Sequence, residues 1–384
     1  MSDASLDHRW VAGQDELESV VDELLGEPCY ALDTEFHRER TYFPKLALLQ
    51  LAWPGGLVLV DPLAVDVSSM RRLFDSDVLA VLHAAQQDLD VLTHAVGAVP
   101  RRLYDTQIAA GFVGYGTPSL VALLQGELRV SPVKGDRLTD WLRRPLTADQ
   151  REYAASDVAY LLDVRDRLTA KLAELGRTEW AVEACDELLA RPVSGAAPWD
   201  AWQRLKDVRT LRPRGRAVAR SLAAWREQRA MATDTPVRQV LPDLAVLGIS
   251  QRLPRTERDL AQARGVDDRF TRGEIARQIL AAVAEGLEHE PPEPPGGGDD
   301  LDRDLRPAVS LVSAWVSQVA RDERIDASIL ATRADLVALL RGREDARLAK
   351  GWRSELLGSA IRKLVEGRAG LTFDGRGGLR LVDL

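Results

Sequence analysis

An α/β domain over residues 1–198 followed by two all-helical modules is the architecture that this 384-residue sequence predicts. Three observations carry that reading. Short apolar runs bounded by turn residues dominate residues 28–60 and then give way to helical periodicity. The composition turns arginine-rich and proline-punctuated after Arg191-Pro192-Val193-Ser194-Gly195, and an acidic Pro/Gly stretch, 287–300, divides what remains.

Tyr30-Ala31-Leu32-Asp33-Thr34-Glu35-Phe36, Leu46 to Ala52 and Leu57-Val58-Leu59-Val60 read as strands, with Trp53-Pro54-Gly55-Gly56 as the turn between the last two. A helical pattern around Met70 to Phe74 precedes a short apolar strand, Val78 to Leu82, which runs into a helix from Gln86 to Val96. From Leu120 the chain is helical in character: Leu120 to Leu124, Leu138 to Leu142, then one long helix from Ala148 to Leu175. Thr147 and Gln150 make a capping box at its start, giving acceptors to first-turn amides that would otherwise go unpaired. Residues 199–286 read as four or five short helices broken by Pro213, Pro236, Pro242 and Pro254. The stretch 287–300 cannot bury a core and reads as a linker. Residues 301–384 read as a second helical module, with Gly375-Arg376-Gly377-Gly378 turning a small hairpin near its end.

With 45% hydrophobic and 29% charged residues, the chain is expected to be soluble and globular. No apolar stretch approaches a membrane span and the first twenty residues are polar and acidic, so a cytoplasmic protein without a membrane partner is expected. Cys29 and Cys185 are the only cysteines, which excludes a disulfide framework and a thiolate zinc site. His8, His37, His83, His94 and His289 form no ligand pair at helical or finger spacing, so metal chemistry must use oxygen. The net charge of −8 divides unevenly: 19 basic against 31 acidic side chains in residues 1–198, 17 against 11 in 199–286, and 15 against 12 in 301–384. An acidic body with basic appendages suits an enzyme whose carboxylates bind metal before a polyanion approaches.

Four carboxylates and a tyrosine are the candidates for that chemistry. Asp33 and Glu35 sit two apart on a predicted strand and leave one face of the sheet, while Tyr153 and Asp157 are four apart and share a helix face. Asp88 opens a helix in His83-Ala84-Ala85-Gln86-Gln87-Asp88-Leu89. Taken singly each is ordinary, since an Asp-X-Glu strand is mostly a solvated face and an acid near a helix start is favoured by the dipole alone. Together they make a site for two divalent cations, magnesium or manganese, because magnesium favours carboxylate oxygen and water. Two such ions can hold both ends of an in-line phosphodiester displacement. In this reading Asp33 bridges, Glu35 and Asp157 complete one shell, Asp88 serves the second ion through water, and Tyr153 orients the attacking water. Asp90 is a weaker candidate than Asp88, and His83 is expected to be structural.

These blocks resemble the DEDD superfamily of exonucleases, in its tyrosine-bearing branch. Asp33-Thr34-Glu35-Phe36 with its continuation Thr41-Tyr42-Phe43-Pro44-Lys45-Leu46-Ala47-Leu48-Leu49-Gln50 is similar to the ribonuclease D family. So is Trp141-Leu142-Arg143-Arg144-Pro145-Leu146-Thr147, leading through Gln150 to Tyr153, Asp157 and Tyr160-Leu161. The resemblance implies a ribonuclease H-like α/β exonuclease domain in which Asp33, Glu35, Asp88 and Asp157 bind two divalent metals and Tyr153 orients the water. Leu222, Trp225-Arg226, Pro236, Leu241, Pro254, Leu260 and Gly265 resemble an HRDC domain, a helical nucleic-acid-binding module. Residues 301–384 resemble a second, HRDC-like module by position and helical character. The implied protein is a monomeric 3′-to-5′ exoribonuclease that trims single-stranded RNA 3′ ends, of tRNA precursors and other stable RNAs, to 5′-monophosphates.

Lys134, Arg137, Arg143 and Arg144 precede the helix of Tyr153 and are candidates for contact with the substrate strand. Arg209, Arg212, Arg214 and Arg216 lie in a cationic run, Arg204 to Arg220, able to grip backbone phosphates. With 45 arginines against 6 lysines, however, arginine richness is general to the chain and lowers the weight of the cluster. Two other readings stay open. A 3′-to-5′ DNA exonuclease would use the same metal site, and only contacts to the 2′-hydroxyl separate the two. A non-catalytic RNA-binding scaffold on the same fold is disfavoured because all four acids and the tyrosine are present.

Overall fold

Six strands make the sheet that carries the candidate acids: β1 (Arg9–Val11), β2 (Cys29–His37), β3 (Lys45–Trp53), β4 (Gly56–Val60), β5 (Leu79–Leu82) and β6 (Leu103–Asp105). Their spatial order is β1-β4-β3-β2-β5-β6. β1 runs parallel to β4, β3 antiparallel to β4, and β2 and β6 both parallel to β5. β3 is apolar almost throughout because both faces of the sheet are covered, so alternation disappears from its sequence. On one face α1 (Gln14–Leu25), α2 (Arg71–Phe74) and α3 (Gln86–Ala95) bring Leu17, Leu24, Phe74 and Leu92 against Tyr30, Leu32 and Leu49. On the other, α6 (Ala148–Ala159) sets Ala154 and Ala155 on Leu48 and Leu59, and Val158 with Leu161 of α7 (Leu161–Glu174) packs on Ala31 and Val81. Between these lie α4 (Thr106–Gly111) and α5 (Leu120–Leu128), and α8 (Thr178–Leu189) follows α7.

The computed structural model describes residues 6–132, 139–191, 197–294 and 305–384, which fall into two units, one drawn from 1–36, 46–191 and 298–384 and the other from 37–45 and 192–297. The four predicted strands and the helices expected around 70–74 and from Gln86 stand within a residue or two of their places, whereas β1, α1 and β6 are not foreseen. Two expected helices of this domain fail. Of the helix expected over Leu138–Leu142, the described part, 139–142, is a turn in which the Asp140 side chain accepts from the Leu142 amide at 3.2 Å, competing with the helical bond. The long helix over 148–175 is two helices, because Tyr160 leaves helical dihedrals (φ −114°, ψ 1°) and α7 starts afresh behind it.

In the second unit, α9 (Pro213–Thr233), α10 (Val237–Val240), α11 (Asp243–Arg252), α12 (Glu257–Leu260) and α13 (Gly273–Glu288) bury Leu222, Leu241, Ile249, Leu260, Phe270 and Ile279. Pro213 opens α9 rather than breaking it, since its missing amide is one the first turn leaves unpaired, and α9 therefore runs 21 residues instead of forming short pieces. Arg226 is buried and donates to the Leu241 carbonyl at 3.0 Å and to Asp243 at 2.6 Å. Gly265 has φ +79°, and a Cβ there would meet the Leu244–Ala245 backbone at 2.9 Å.

Residues 305–384 contain α14 (Leu305–Glu323), α15 (Ala327–Leu330), α16 (Arg333–Leu340) and α17 (Gly351–Arg353), which passes through a π turn (Ser354–Gly358) into α18 (Ser359–Val365). A hairpin of β7 (Ala369–Phe373) and β8 (Leu379–Asp383) closes the chain, turning where the glycines predict. These helices have no separate core. Val312, Val316, Leu348 and Trp352 pack with Phe112, Leu123, Val164, Leu168 and Ala181 of the first domain. Trp180 stacks on Trp352 at 5.0 Å and Phe112 meets it edge-on at 5.2 Å. Arg177 donates to the Phe112 and Glu323 carbonyls, each at 2.9 Å. Arg353, only 1% exposed, reaches Glu187 of α8 at 2.7 Å, and Arg347 shares the same carboxylate. Residues 305–384 thus pack as a buttress of the exonuclease core. Among the described residues no helix is long and apolar enough to cross a membrane.

Glu187→Ala should therefore lower the unfolding free energy by about 3 kcal/mol, because it strands a buried guanidinium. Urea denaturation tests this, with Asp75→Ala, which breaks the exposed Arg71–Asp75 pair, as the control that should change little.

Candidate active site

Strand alternation on β2 and one turn of α6 bring three acids together. One oxygen from each of Asp33, Glu35 and Asp157 lies within 4.8 Å of the other two, and all three residues are half-buried. The direction of α6 is set by the expected capping box: the Gln150 amide donates to the Thr147 hydroxyl at 3.2 Å and the Thr147 amide to the Gln150 side chain at 2.8 Å. Tyr153 stands one turn before Asp157, and the Trp141 ring stacks on it at 6.1 Å between centroids. The segment carrying Trp141 is tied down by Arg144. Its guanidinium donates to the Trp141 carbonyl (2.7 Å), the Ala47 carbonyl on β3 (2.6 Å) and the Asp61 carboxylate (2.7 and 2.8 Å).

Asp88 is placed differently. It is the third residue of α3, 7% exposed, and accepts from the hydroxyl of Thr34, the residue between Asp33 and Glu35, at 2.5 Å. It is not one of the three converging carboxylates, although its charge is felt by Asp33 and Glu35. A residue the sequence reading missed holds it there. Asp105, at the end of β6, accepts from the amides of Ala84 (3.1 Å) and Ala85 (2.8 Å), pinning the left-handed turn at Ala84 (φ 57°) from which α3 springs, while also capping α4 through Gln107 at 2.8 Å. Nothing in the local sequence marks that role, because its partners lie some twenty residues earlier. His83 is bonded to the Thr106 hydroxyl at 2.9 Å, and Asp90 faces His94 at 3.8 Å.

The candidate RNA contacts divide. Arg144 is taken up inside the domain, which corrects the expectation that it reaches the substrate; Arg143 is exposed. Arg216 likewise donates to the carbonyls of Leu211 and Pro292, both at 3.0 Å, whereas Arg209, Arg212 and Arg214 are exposed. Lys134 and Arg137 lie outside the described residues.

Burial dominates the electrostatics, and crowding of like charge adds to it at Asp33 and Glu35. Burial, then the charges of Asp88, Asp157 and Glu35, hold the Asp33 carboxyl well above the usual carboxylate range. Burial and the neighbouring acids push Glu35 up to about 8, and burial pushes Asp88 and Asp157 up to about 7 each. Burial, with the charges of Asp157, Glu35 and Asp33, also raises Tyr153, so its hydroxyl stays protonated at neutral pH. Among the described residues no basic side chain is a leading contributor at Asp33, Glu35 or Asp157. An all-oxygen donor set with uncompensated negative charge fits a divalent cation.

Residues 8–173, which carry these acids on the mixed sheet, match the family described as 3′-5′ exonuclease. Residues 215–283 match the HRDC domain. The chain is 36% identical to ribonuclease D of Nitrobacter hamburgensis over 368 residues, 94% of this chain and 95% of that one. It is also 36% identical to ribonuclease D of Jannaschia sp. over 372 residues, covering 94% and 96%. The crystal structure of Escherichia coli RNase D superposes with a TM-score of 0.84 at 30% identity, covering 94% of this chain and 99% of that one. The chain belongs to the ribonuclease D family. It is a 3′-to-5′ exoribonuclease, and its fold implies divalent metal use.

The same burial and crowding make stability depend on pH. In the unfolded chain these carboxyls titrate near 4, so between roughly pH 4 and 8 the folded, metal-free protein holds more protons than the unfolded one, and its stability falls as pH rises. The melting temperature in chelator should drop from pH 5.5 to pH 8, and magnesium should recover most of the loss. Asp33→Asn should flatten the slope in chelator; a slope equal to that of the wild type would refute the account.

Proposed function

We propose that Asp33, Glu35, Asp88 and Asp157 hold two divalent cations, magnesium or manganese, and that Tyr153 orients the hydrolytic water, so that nucleotides leave RNA 3′ ends as 5′-monophosphates. The observation that carries this is the convergence of Asp33, Glu35 and Asp157 within 4.8 Å, with burial holding all three carboxyls, and neighbouring charge Asp33 and Glu35 further, above the ordinary range. When bound, such cations acidify water and offset charge on the attacking and leaving oxygens. The chain's own residues do the positioning. Asp33 and Glu35 are fixed by the register of β2, and Asp157 by the cap of α6. Asp88, bonded to Thr34, is the fourth member, and its charge is registered by Asp33 and Glu35. Tyr153, kept protonated, serves as a hydrogen-bond donor and not as a base, with Trp141 limiting its ring.

The substrate we infer is RNA with a single-stranded 3′ end, including tRNA precursors. The E. coli protein is an exoribonuclease involved in structured RNA processing, which supports this reading. Residues 199–286 would add sequence-independent grip through exposed Arg209, Arg212 and Arg214, and Arg143, with Lys134 and Arg137, would add further contacts to the strand. Residues 287–300 would then join that helical domain to the buttress formed by 301–384. We extend the same reading to a cytoplasmic monomer.

The direct test incubates 5′-labelled single-stranded RNA and matching DNA with magnesium, with manganese and with chelator. RNA should shorten from its 3′ end only with metal; faster shortening of DNA would move the assignment to a DNA exonuclease. Asp33→Ala and Asp157→Ala should abolish shortening while retaining RNA in a gel-shift assay. Tyr153→Phe should slow turnover by about a hundredfold with little change in metal affinity, the scale expected when a group that orients the attacking water is lost.

A further inference from the structure

The loop that leaves β2 is held by α9. Residues 37–45 begin two positions after Glu35, end where β3 starts, and fall in one unit with the helical domain. Glu227, only 4% exposed, accepts from the Tyr42 hydroxyl at 2.7 Å and from Arg204 at 3.0 Å. Asp234, in the left-handed conformation just past the end of α9 (φ 45°, ψ 46°), accepts from the amides of both Tyr42 (3.0 Å) and Phe43 (3.1 Å) through Oδ1. Within the loop the Tyr42 and Phe43 rings meet edge-on at 4.8 Å, and the Thr41 hydroxyl donates to the Phe43 carbonyl at 2.7 Å. A buried carboxylate is costly unless its bonds are made, and here the bonds of Glu227 go to the loop and to an exposed arginine.

The loop is cationic. Arg38, Arg40 and Lys45 are exposed and outnumber Glu39. Three residues of chain span at most about 11 Å, so Arg38 cannot leave the neighbourhood of Glu35. A phosphate backbone meeting four crowded acids needs positive charge close by, and these are the cations tied most closely to that strand by sequence.

We propose that Glu227 and Asp234 are positioning residues for the exonuclease, fixing the 37–45 loop through Tyr42 and Phe43 so that its cations guide the RNA strand to the carboxylates. The helical domain then assists turnover through this loop. This rests on the active-site reading above.

The experiment measures kcat and KM of the full chain on an RNA of a few nucleotides, with magnesium, for wild type, Tyr42→Phe, Glu227→Gln, the double variant and Asp234→Gly, which removes the acceptor while glycine keeps the left-handed turn. Loss of a buried hydrogen bond to a charged acceptor should raise KM roughly tenfold with kcat nearly unchanged. The double variant should lose less than the sum of the two single variants, because Tyr42→Phe removes the donor of the bond that Glu227→Gln weakens by taking the charge from its acceptor. A merely structural role would instead lower the melting temperature and the active fraction, moving kcat and leaving KM alone. Wild-type KM in Tyr42→Phe and Asp234→Gly, or additive effects in the double variant, would overturn the proposal. Should Glu227→Gln fail to fold, Tyr42→Phe, which removes one oxygen, decides. Failure of wild type to shorten the RNA, or shortening by Asp33→Ala, would bring down the active-site reading itself, and the loop's role with it.

Discussion

Four carboxyl groups are kept closer than their charges favour, and much of the fold can be understood as the means of keeping them there. Asp33 and Glu35 cannot separate because β2 is hydrogen-bonded into the middle of the sheet, between β3 and β5. Asp157 cannot withdraw because α6 is capped at one end and packed on Leu48 and Leu59 along its length. The penalty of burial, and after it the repulsion, is therefore stored as raised pKa values rather than released by movement, and a cation is the partner that relieves both without rearrangement. A rigid acidic nest of this kind trades stability for readiness to bind metal.

Rigidity at the nest depends on packing that lies well away from it. α6 is separated from α7 by Tyr160 alone, and Val164 and Leu168 of α7 belong to the core shared with Val312, Val316 and Trp352. Movement in the 305–384 helices would thus be felt one residue from the helix that carries Asp157 and Tyr153. The second support is polar: Arg144 joins β3, Asp61 and the Trp141 carbonyl, and Trp141 in turn bears on the Tyr153 ring. Both supports cross long stretches of sequence.

That distinction explains what could be read before the structure. The acids were legible because spacing alone decides their faces, two residues on a strand and four on a helix, and the capping box because it is a four-residue motif. The break at Tyr160 was not, since nothing in residues 148–175 resembles a helix stop. The expected helix over Leu138–Leu142 failed on a local competitor, the Asp140 side chain, that apolar spacing does not weigh. Asp105 and Thr34 gained their roles only from partners brought by folding, and the packing of 305–384 onto the first domain is invisible to any reading that takes segments one at a time.

Arginine shows the same limit in its plainest form. Its count along the chain suggested a phosphate-binding surface, yet a guanidinium with five donors is equally the side chain best able to tie a loop to scattered carbonyls. Arg144, Arg177, Arg216 and Arg226 each do that, donating to main-chain oxygens far from them in sequence. In a chain with so few lysines, arginine must serve both the inside and the outside, so charge density on paper overstates what faces solvent. The exposed Arg209, Arg212 and Arg214, clustered where α9 begins, are members of the run that the fold leaves at the surface.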